Sequence, residues 1–198
     1  MNWKSYNHNN SIFVGKYTMM MQVYTERLLL RDMTIEDAPA IFDYRSDAEA
    51  NTFQSWIPTS LKEVENFILR NHKEFNQPES WYQILITDKE TKEVIGDIGI
   101  HFFGNENLQA ELAITLNKNF QGKGFAAEAL KGIISLLFTD FEKHRIMASV
   151  DPDNLDSIRL MERVGLRKEG HFVKSLFWKN RWVDDVIYAV LREEWMEK

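Results

Sequence analysis

The sequence predicts a mixed α+β domain around a mostly antiparallel sheet, and three observations carry that expectation. Apolar runs bounded by turn residues recur between residues 23 and 191, the pattern of strands. Amphipathic stretches with N-cap signals interrupt those runs at intervals. Of 198 residues, 44% are hydrophobic and 27% charged, with 9 Gly and 4 Pro, which excludes collagen, low complexity and wholesale disorder. Strand runs broken by helices give a sheet partly covered on both faces.

The elements follow in order. Residues 1–21, rich in asparagine, read as a polar flexible extension, and 22–198 as one domain. Val23 to Arg31 reads as a first strand. Thr34 is placed to cap a helix with Glu36 and Asp37 in its first turn. Ser60-Leu61-Lys62-Glu63 forms a capping box before Val64, Phe67 and Ile68 at helical spacing. Tyr82–Ile86 and Val94–Ile100 flank a charged turn, and Leu108–Leu116 continues the meander. Gly124 to about Phe141 reads as a helix with Ala127, Leu130, Ile133, Ile134 and Leu137 inward. Ile146–Val150 is a buried strand. Asn154–Val164 is a helix stopped by Gly165. Two last strands, about Leu166–Trp178 and Trp182–Leu191, bracket a turn.

Composition excludes several classes. With no cysteine, there is no disulfide framework, thiolate metal site or thiol nucleophile. That is compatible with a cytoplasmic location. A net charge of −6 disfavours general nucleic-acid binding, which depends on excess Lys and Arg. No run reaches the ~20 apolar residues of a membrane span, so no membrane partner is expected. The five histidines lack metal-ligand spacing, so no metal is expected.

Gln121-Gly122-Lys123-Gly124-Phe125-Ala126 carries the chemistry. Two glycines open a helix whose first N–H groups are unpaired and whose dipole is positive there. Phosphate is the expected guest, and Lys123 adds a charge. A plain glycine turn capping a helix is the alternative. A dinucleotide fingerprint, with Asp140 or Asp151 as the ribose acid, fits the spacing. It should lie directly off a strand in a βαβ unit, yet five residues separate Leu116 from Gly122.

Several blocks resemble one family in order: Thr25–Arg31, Ala110–Leu116, the Q/R-x-x-G-x-G/A signature at Gln121–Ala126, Asn154-Leu155-Asp156-Ser157, and Met161–Leu166. The span from Thr25 to Trp195 resembles the GNAT superfamily of acetyl-CoA-dependent N-acetyltransferases. Within it, the span is similar to the branch of the ribosomal-protein N-terminal acetyltransferases RimJ and RimL. The resemblance implies a twisted sheet of about seven strands with its fourth and fifth splayed, flanked by about four helices.

It also implies roles. Acetyl-CoA would lie in the wedge between the splayed strands, its pantetheine arm along Ile114, Thr115 and Leu116. Its pyrophosphate would sit on Gln121, Gly122, Lys123, Gly124, Phe125 and Ala126. Glu111 would be base or acceptor-amine anchor, or else an ordinary strand glutamate. Ser157 would protonate the departing thiolate. Asn154 would fix that hydroxyl or the pantetheine arm, besides capping its helix. Many members carry a tyrosine acid at the position of Met161, which excludes that acid here, and Tyr188 cannot be placed to replace it. His171 is a second candidate base. Phe53, Trp56, Trp81, Phe103, Phe172, Phe177 and Trp178 are acceptor-pocket or core aromatics.

The expected reaction is direct attack of a primary amine on acetyl-CoA. The acceptor is a protein N-terminal α-amine or a small amine such as an aminoglycoside, polyamine or amino acid. A non-catalytic CoA-binding module is the rival from another class. A homodimer is an expectation that the resemblance carries.

Overall fold

The computed structural model describes residues 21–71 and 74–197. The extension expected at 1–21 lies, except for Met21, outside the described residues.

The sheet has eight strands in the order β1-β2-β3-β4-β5-β6-β8-β7, where seven were expected. The expected first strand is a hairpin of β1 (Gln22–Tyr24) and β2 (Leu28–Asp32). Thr25 closes it: its N–H donates to the Leu28 carbonyl at 3.0 Å, and its hydroxyl accepts the Leu28 N–H at 3.0 Å. Asp37 then accepts the Thr34 N–H at 2.8 Å and starts a short 3-10 turn. Helices α1 (Ala38–Arg45) and α2 (Leu61–Arg70) follow, and the Ser60 side chain caps the second. The meander is β3 (Ser80–Asp88), β4 (Val94–Phe103) and β5 (Gln109–Leu116). Helix α3 (Phe125–Thr139) crosses to β6 (Arg145–Val150). Helix α4 (Leu155–Val164) ends at Gly165. The long hairpin β7 (Arg167–Trp178) and β8 (Arg181–Leu191) turns at Lys179 and Asn180. A final helix, α5 (Arg192–Met196), was not expected; Glu194 caps it by accepting the Leu191 N–H at 2.8 Å.

Among the described strands, only β5 and β6 pair in parallel. Their pairing covers Gln109↔Arg145, Ala110↔Ile146 and Glu111↔Met147, and then stops. Each continues along its other neighbour, β5 to Leu116 on β4 and β6 to Val150 on β8. This is the expected splay, moved one place along the chain by the extra strand.

Alternation assigns the two faces. Ile84, Ile98, Ile100, Ala110, Leu112 and Val190 point at α3 and α4, packing on Leu130, Ile133 and Leu137. Burying each large side chain there stabilises the fold by ~1.5–3 kcal/mol. On the opposite face, α1 and α2 cover one end of the sheet with Ile41, Tyr44, Val64 and Ile68 over Leu85. Asp97 of β4 anchors this cover. It is fully buried and accepts from Tyr44 Oη at 2.5 Å, Arg45 Nε at 2.9 Å and Arg45 Nη2 at 2.5 Å.

Candidate active site

The wedge opens where β5 leaves β6. There the Ile114 carbonyl accepts the Gln54 side-chain amide at 3.3 Å, and the Leu116 carbonyl accepts that of Gln121 at 3.2 Å. Thr115 is buried between them. Gly96 of β4 lets β5 come close: a Cβ there would stand 2.2 Å from the Thr115 carbonyl oxygen.

The glycine loop lies beyond the end of β5. Gly122 and Gly124 hold left-handed φ of 73° and 84°, which favours glycine. Such an alternation curls N–H groups into an anion-binding concavity. A Cβ at Gly122 would meet nothing within 4 Å, so its outer side is open. Gly124 is the N-cap of α3, and the N–H groups of Phe125 and Ala126 begin that helix, where the dipole is positive. Lys123 is exposed, with Nζ 5.3 Å from the Phe120 ring. These residues fit a polyphosphate.

Arg27, which the sequence reading left without a role, braces this loop. Its Nη1 donates to the Lys123 carbonyl at 3.1 Å, and its guanidinium lies 4.4 Å from the Phe125 ring centroid. Its Nε bonds Glu128 at 2.7 Å. Burial alone would raise the Glu128 pKa, but bonds from Thr25 and Arg27 outweigh it and hold the carboxyl below its usual range.

Glu111 stands at the apex, the last β5 residue paired with β6. Its carboxylate faces His101 Nδ1 at 3.7 Å, each side chain 27% exposed. Burial raises its pKa and the nearby Asp185 adds to the rise, against the opposing pull of His101. Asp185 itself accepts from Ser149 at 2.7 Å. Across β3, β4 and β5, Trp81, His101 and Glu111 are register partners. The Trp81 and His101 rings stack at 4.7 Å with 3° between planes, and Phe103 tilts onto His101 at 5.6 Å.

Asn154 caps α4: its side-chain oxygen accepts the Ser157 N–H at 3.1 Å. Ser157 lies half-buried in the first turn. Among the described residues, no hydrogen bond joins Glu111 to Ser157; they stand on different elements around the wedge. Met161 is buried in the main core. Tyr188 is buried with its hydroxyl donating to Glu162 at 3.3 Å, so it is committed to α4.

The other candidates separate. His171 pairs with Asp184 at 2.7 Å on the β7–β8 hairpin; the imidazole beside Glu111 belongs to His101. Trp56 belongs to the cover, stacked on Phe67 at 4.3 Å and lying 5.3 Å from the Arg45 guanidinium. Phe53, Phe172 and Phe177 are exposed. Trp178 lies under Lys179 Nζ at 4.6 Å. Lys179 Nζ also donates to the Thr52 carbonyl at 2.7 Å. That bond ties the hairpin tip to the α1–α2 loop, which carries Phe53 and Gln54.

A sheet split between parallel strands, with a glycine-rich loop opening the crossover helix, fits the class of acyl-CoA-dependent acyltransferases. The family comparison is specific: residues 27–167 match the model described as the acetyltransferase (GNAT) domain. The chain belongs to the GNAT family of N-acetyltransferases. A Bacillus licheniformis protein named uncharacterized N-acetyltransferase p20 is 35% identical over 89% of this chain and 99% of its own. The [ribosomal protein uS5]-alanine N-acetyltransferase of Escherichia coli is 27% identical over 88% of this chain and 93% of its own. A crystal structure of a GNAT-family acetyltransferase from Bacillus anthracis superposes with TM-score 0.80 and 29% identity. It covers 88% of this chain and 100% of that one.

Proposed function

We propose that this N-acetyltransferase moves the acetyl group of acetyl-CoA to a protein N-terminal α-amine, by direct attack and without an acyl-enzyme. The carrying observation is the partly exposed, partly desolvated carboxylate of Glu111 at the wedge apex, 3.7 Å from the His101 imidazole. It supports an anchor for an incoming ammonium at the point where the cofactor strands part. The α-amine is favoured chemically: its pKa of ~7.7–8.0 leaves a larger neutral fraction than a lysine at ~10.4. The relative named for uS5-alanine acetylation, similar along nearly its whole length, supports the same class.

In this reading the loop Gln121–Ala126 holds the pyrophosphate. Main-chain groups of Ile114–Leu116 receive the pantetheine arm, and the Gln54 amide leaves the Ile114 carbonyl to it. A backbone N–H there polarises the thioester carbonyl. The amine nitrogen attacks that carbon and the C–S bond breaks. Ser157, held in register by the Asn154 cap, gives its proton to the thiolate and takes one back through water from the acetylated nitrogen, which must shed its second proton to become the amide. Catalysis takes place in the cytoplasm.

A second reading has a specific support. Asp185 sits close enough to raise the Glu111 pKa, and two carboxylates at one apex suit a polyamine. Thiol release from acetyl-CoA separates them, measured against peptide N-termini, polyamines, aminoglycosides and amino acids, with Glu111→Gln and Ser157→Ala alongside. Peptide-dependent release depressed by both substitutions is expected. Release with polyamines alone replaces the first reading by the second. Tight acetyl-CoA binding without release for any acceptor refutes both.

A further inference from the structure

We propose that His101 is the base that accepts the amine's proton, and that Glu111 orients its imidazole and stabilises the imidazolium. This rests on the acetyl-transfer reading and assigns the proton step within it. Glutamate, with a reference pKa of ~4.3, is a weak base at neutral pH. Histidine is the side chain whose ordinary titration falls between pH 5 and 8.

The geometry points to the pair. His101 and Glu111 are directly opposed on β4 and β5, so their side chains share one face of the sheet. Nδ1 lies 3.7 Å from Glu111 Oε2. That is one small side-chain adjustment from a hydrogen bond, and catalytic contacts commonly tighten only when substrate binds. The ring plane is fixed by stacking on Trp81 and by the tilted Phe103. With Nδ1 turned to the carboxylate, Nε2 is the nitrogen left for substrate. Among the described residues, no hydrogen bond to Nε2 competes for it.

The charged neighbours leave the pair to itself. From β8, Asp185 faces Glu111 and is held by Ser149. From β6, Arg145 is engaged with Glu169 at 2.6 Å. From α1, Arg45 is bound by Asp97. From β3, the neighbour is the neutral Trp81. Among the described residues the ion pair of the imidazole is with the Glu111 carboxylate, and carboxylate favours imidazolium.

The step balances. An N–H bond of the acceptor ammonium breaks, the proton passes to Nε2, and the nitrogen keeps the electron pair with which it attacks the thioester carbon. After C–S cleavage the second nitrogen proton leaves to water, and the imidazolium returns its proton to solvent.

Two measurements test this. Imidazole titration by NMR, in the parent and in Glu111→Gln, needs no turnover. The His101 midpoint is expected to fall when the carboxylate is lost, while those of His144 and His171 stay in place. A His101 midpoint indifferent to Glu111→Gln overturns the pairing. The second is kcat against pH at saturating peptide and acetyl-CoA. His101→Gln is expected to lower kcat by roughly 100-fold, abolish the acidic limb and leave acetyl-CoA affinity unchanged. In Glu111→Gln the limb is expected to move to lower pH. An active parent whose kcat changes less than about threefold in His101→Gln refutes the proton assignment and leaves the acetyl-transfer reading standing. A parent inactive toward every acceptor removes both.

Discussion

Asp97→Asn tests how the acceptor side of the site is held. Asp97 is fully buried and takes three charge-assisted or short bonds, from Tyr44 Oη and from Nε and Nη2 of Arg45. Asparagine keeps the volume and one carbonyl oxygen but leaves the Arg45 charge buried and uncompensated. Breaking one side of a buried pair in this way costs about 3–5 kcal/mol. For a chain of this size, 1 kcal/mol moves the thermal midpoint by about 2–4 °C. The expected fall is therefore roughly 6–20 °C, read by differential scanning calorimetry at neutral pH. The damage should reach function, because Arg45 also lies against Trp56, two residues from Gln54 in the loop that lines the wedge. The acceptor KM should rise more than that for acetyl-CoA. Arg45→Met combined with Asp97→Leu should recover much of the lost stability, since two apolar groups can replace a buried pair at little cost. A midpoint within about 3 °C of the parent in Asp97→Asn would show that the charge is already hydrated, and the reasoning would fall.

Three further outcomes follow from the same geometry. Gln54→Ala frees the Ile114 carbonyl; a net hydrogen bond is worth about 0.5–1.5 kcal/mol, so calorimetry should show acetyl-CoA binding about 2- to 10-fold tighter, and unchanged or weaker binding contradicts the exchange. Glu111→Gln should raise the thermal midpoint at pH 7–8: the folded carboxyl titrates above its unfolded value, so stability is lost as pH rises through the folded value. That gain should vanish below pH ~4, where the folded and unfolded carboxyls are both protonated. Lys143 is buried with Nζ donating to Asn107 Oδ1 at 2.7 Å, and burial pushes its pKa down to about 8. The unfolded lysine titrates near ~10.4, so between these values the unfolded chain binds more protons and this contribution to stability rises with pH. Lys143→Met should flatten that rise in chemical denaturation from pH 7 to 10.5, and an unchanged slope rejects the assignment.

The glycine loop was legible because its signal is covalent: only residues without a Cβ sit comfortably at the φ of Gly122 and Gly124. Helix caps were legible for the same local reason, as at Ser60 and Asn154. The first strand was misread because Thr25-Glu26-Arg27 continues a strand-like run. Its turn is set by the Thr25 hydroxyl and by a distant partner, Glu128, which accepts the Arg27 N–H at 2.7 Å. That His101 lies beside Glu111 was not legible because alternation gives a residue's face and not its neighbour. Its pairing with Glu111 depends on register across residues 104–108, which composition does not fix. The surroundings of His171, which pairs with Asp184, were hidden for the same reason: register shifts between Lys168 and Gly170 and between Phe172 and Leu176 set where that strand points.

The parallel pair β5–β6 explains why the glycine loop and the Glu111 apex occur together. Parallel neighbours require a crossover, here α3, and the crossover must begin near the end of β5. The positive end of the helix is thereby delivered to the edge from which β6 has departed. Once pairing stops after Glu111, the β5 backbone beyond it is free of a strand neighbour on that side, and its alternating side chains still divide between two faces. Leu112 and Ile114 pack toward α3, holding the strand against the helix that carries the anion loop. Glu111 projects to the opposite face, beside His101 and below the loop of Gln54. In the proposed reading, one strand thus offers backbone to a thioester arm and a carboxylate to an amine. Moving β5 by a single residue in register would turn Glu111 into the core and Leu112 to the acceptor side, which is why Gly96, closing tightly on Thr115 and Leu116, belongs as much to the chemistry as to the fold.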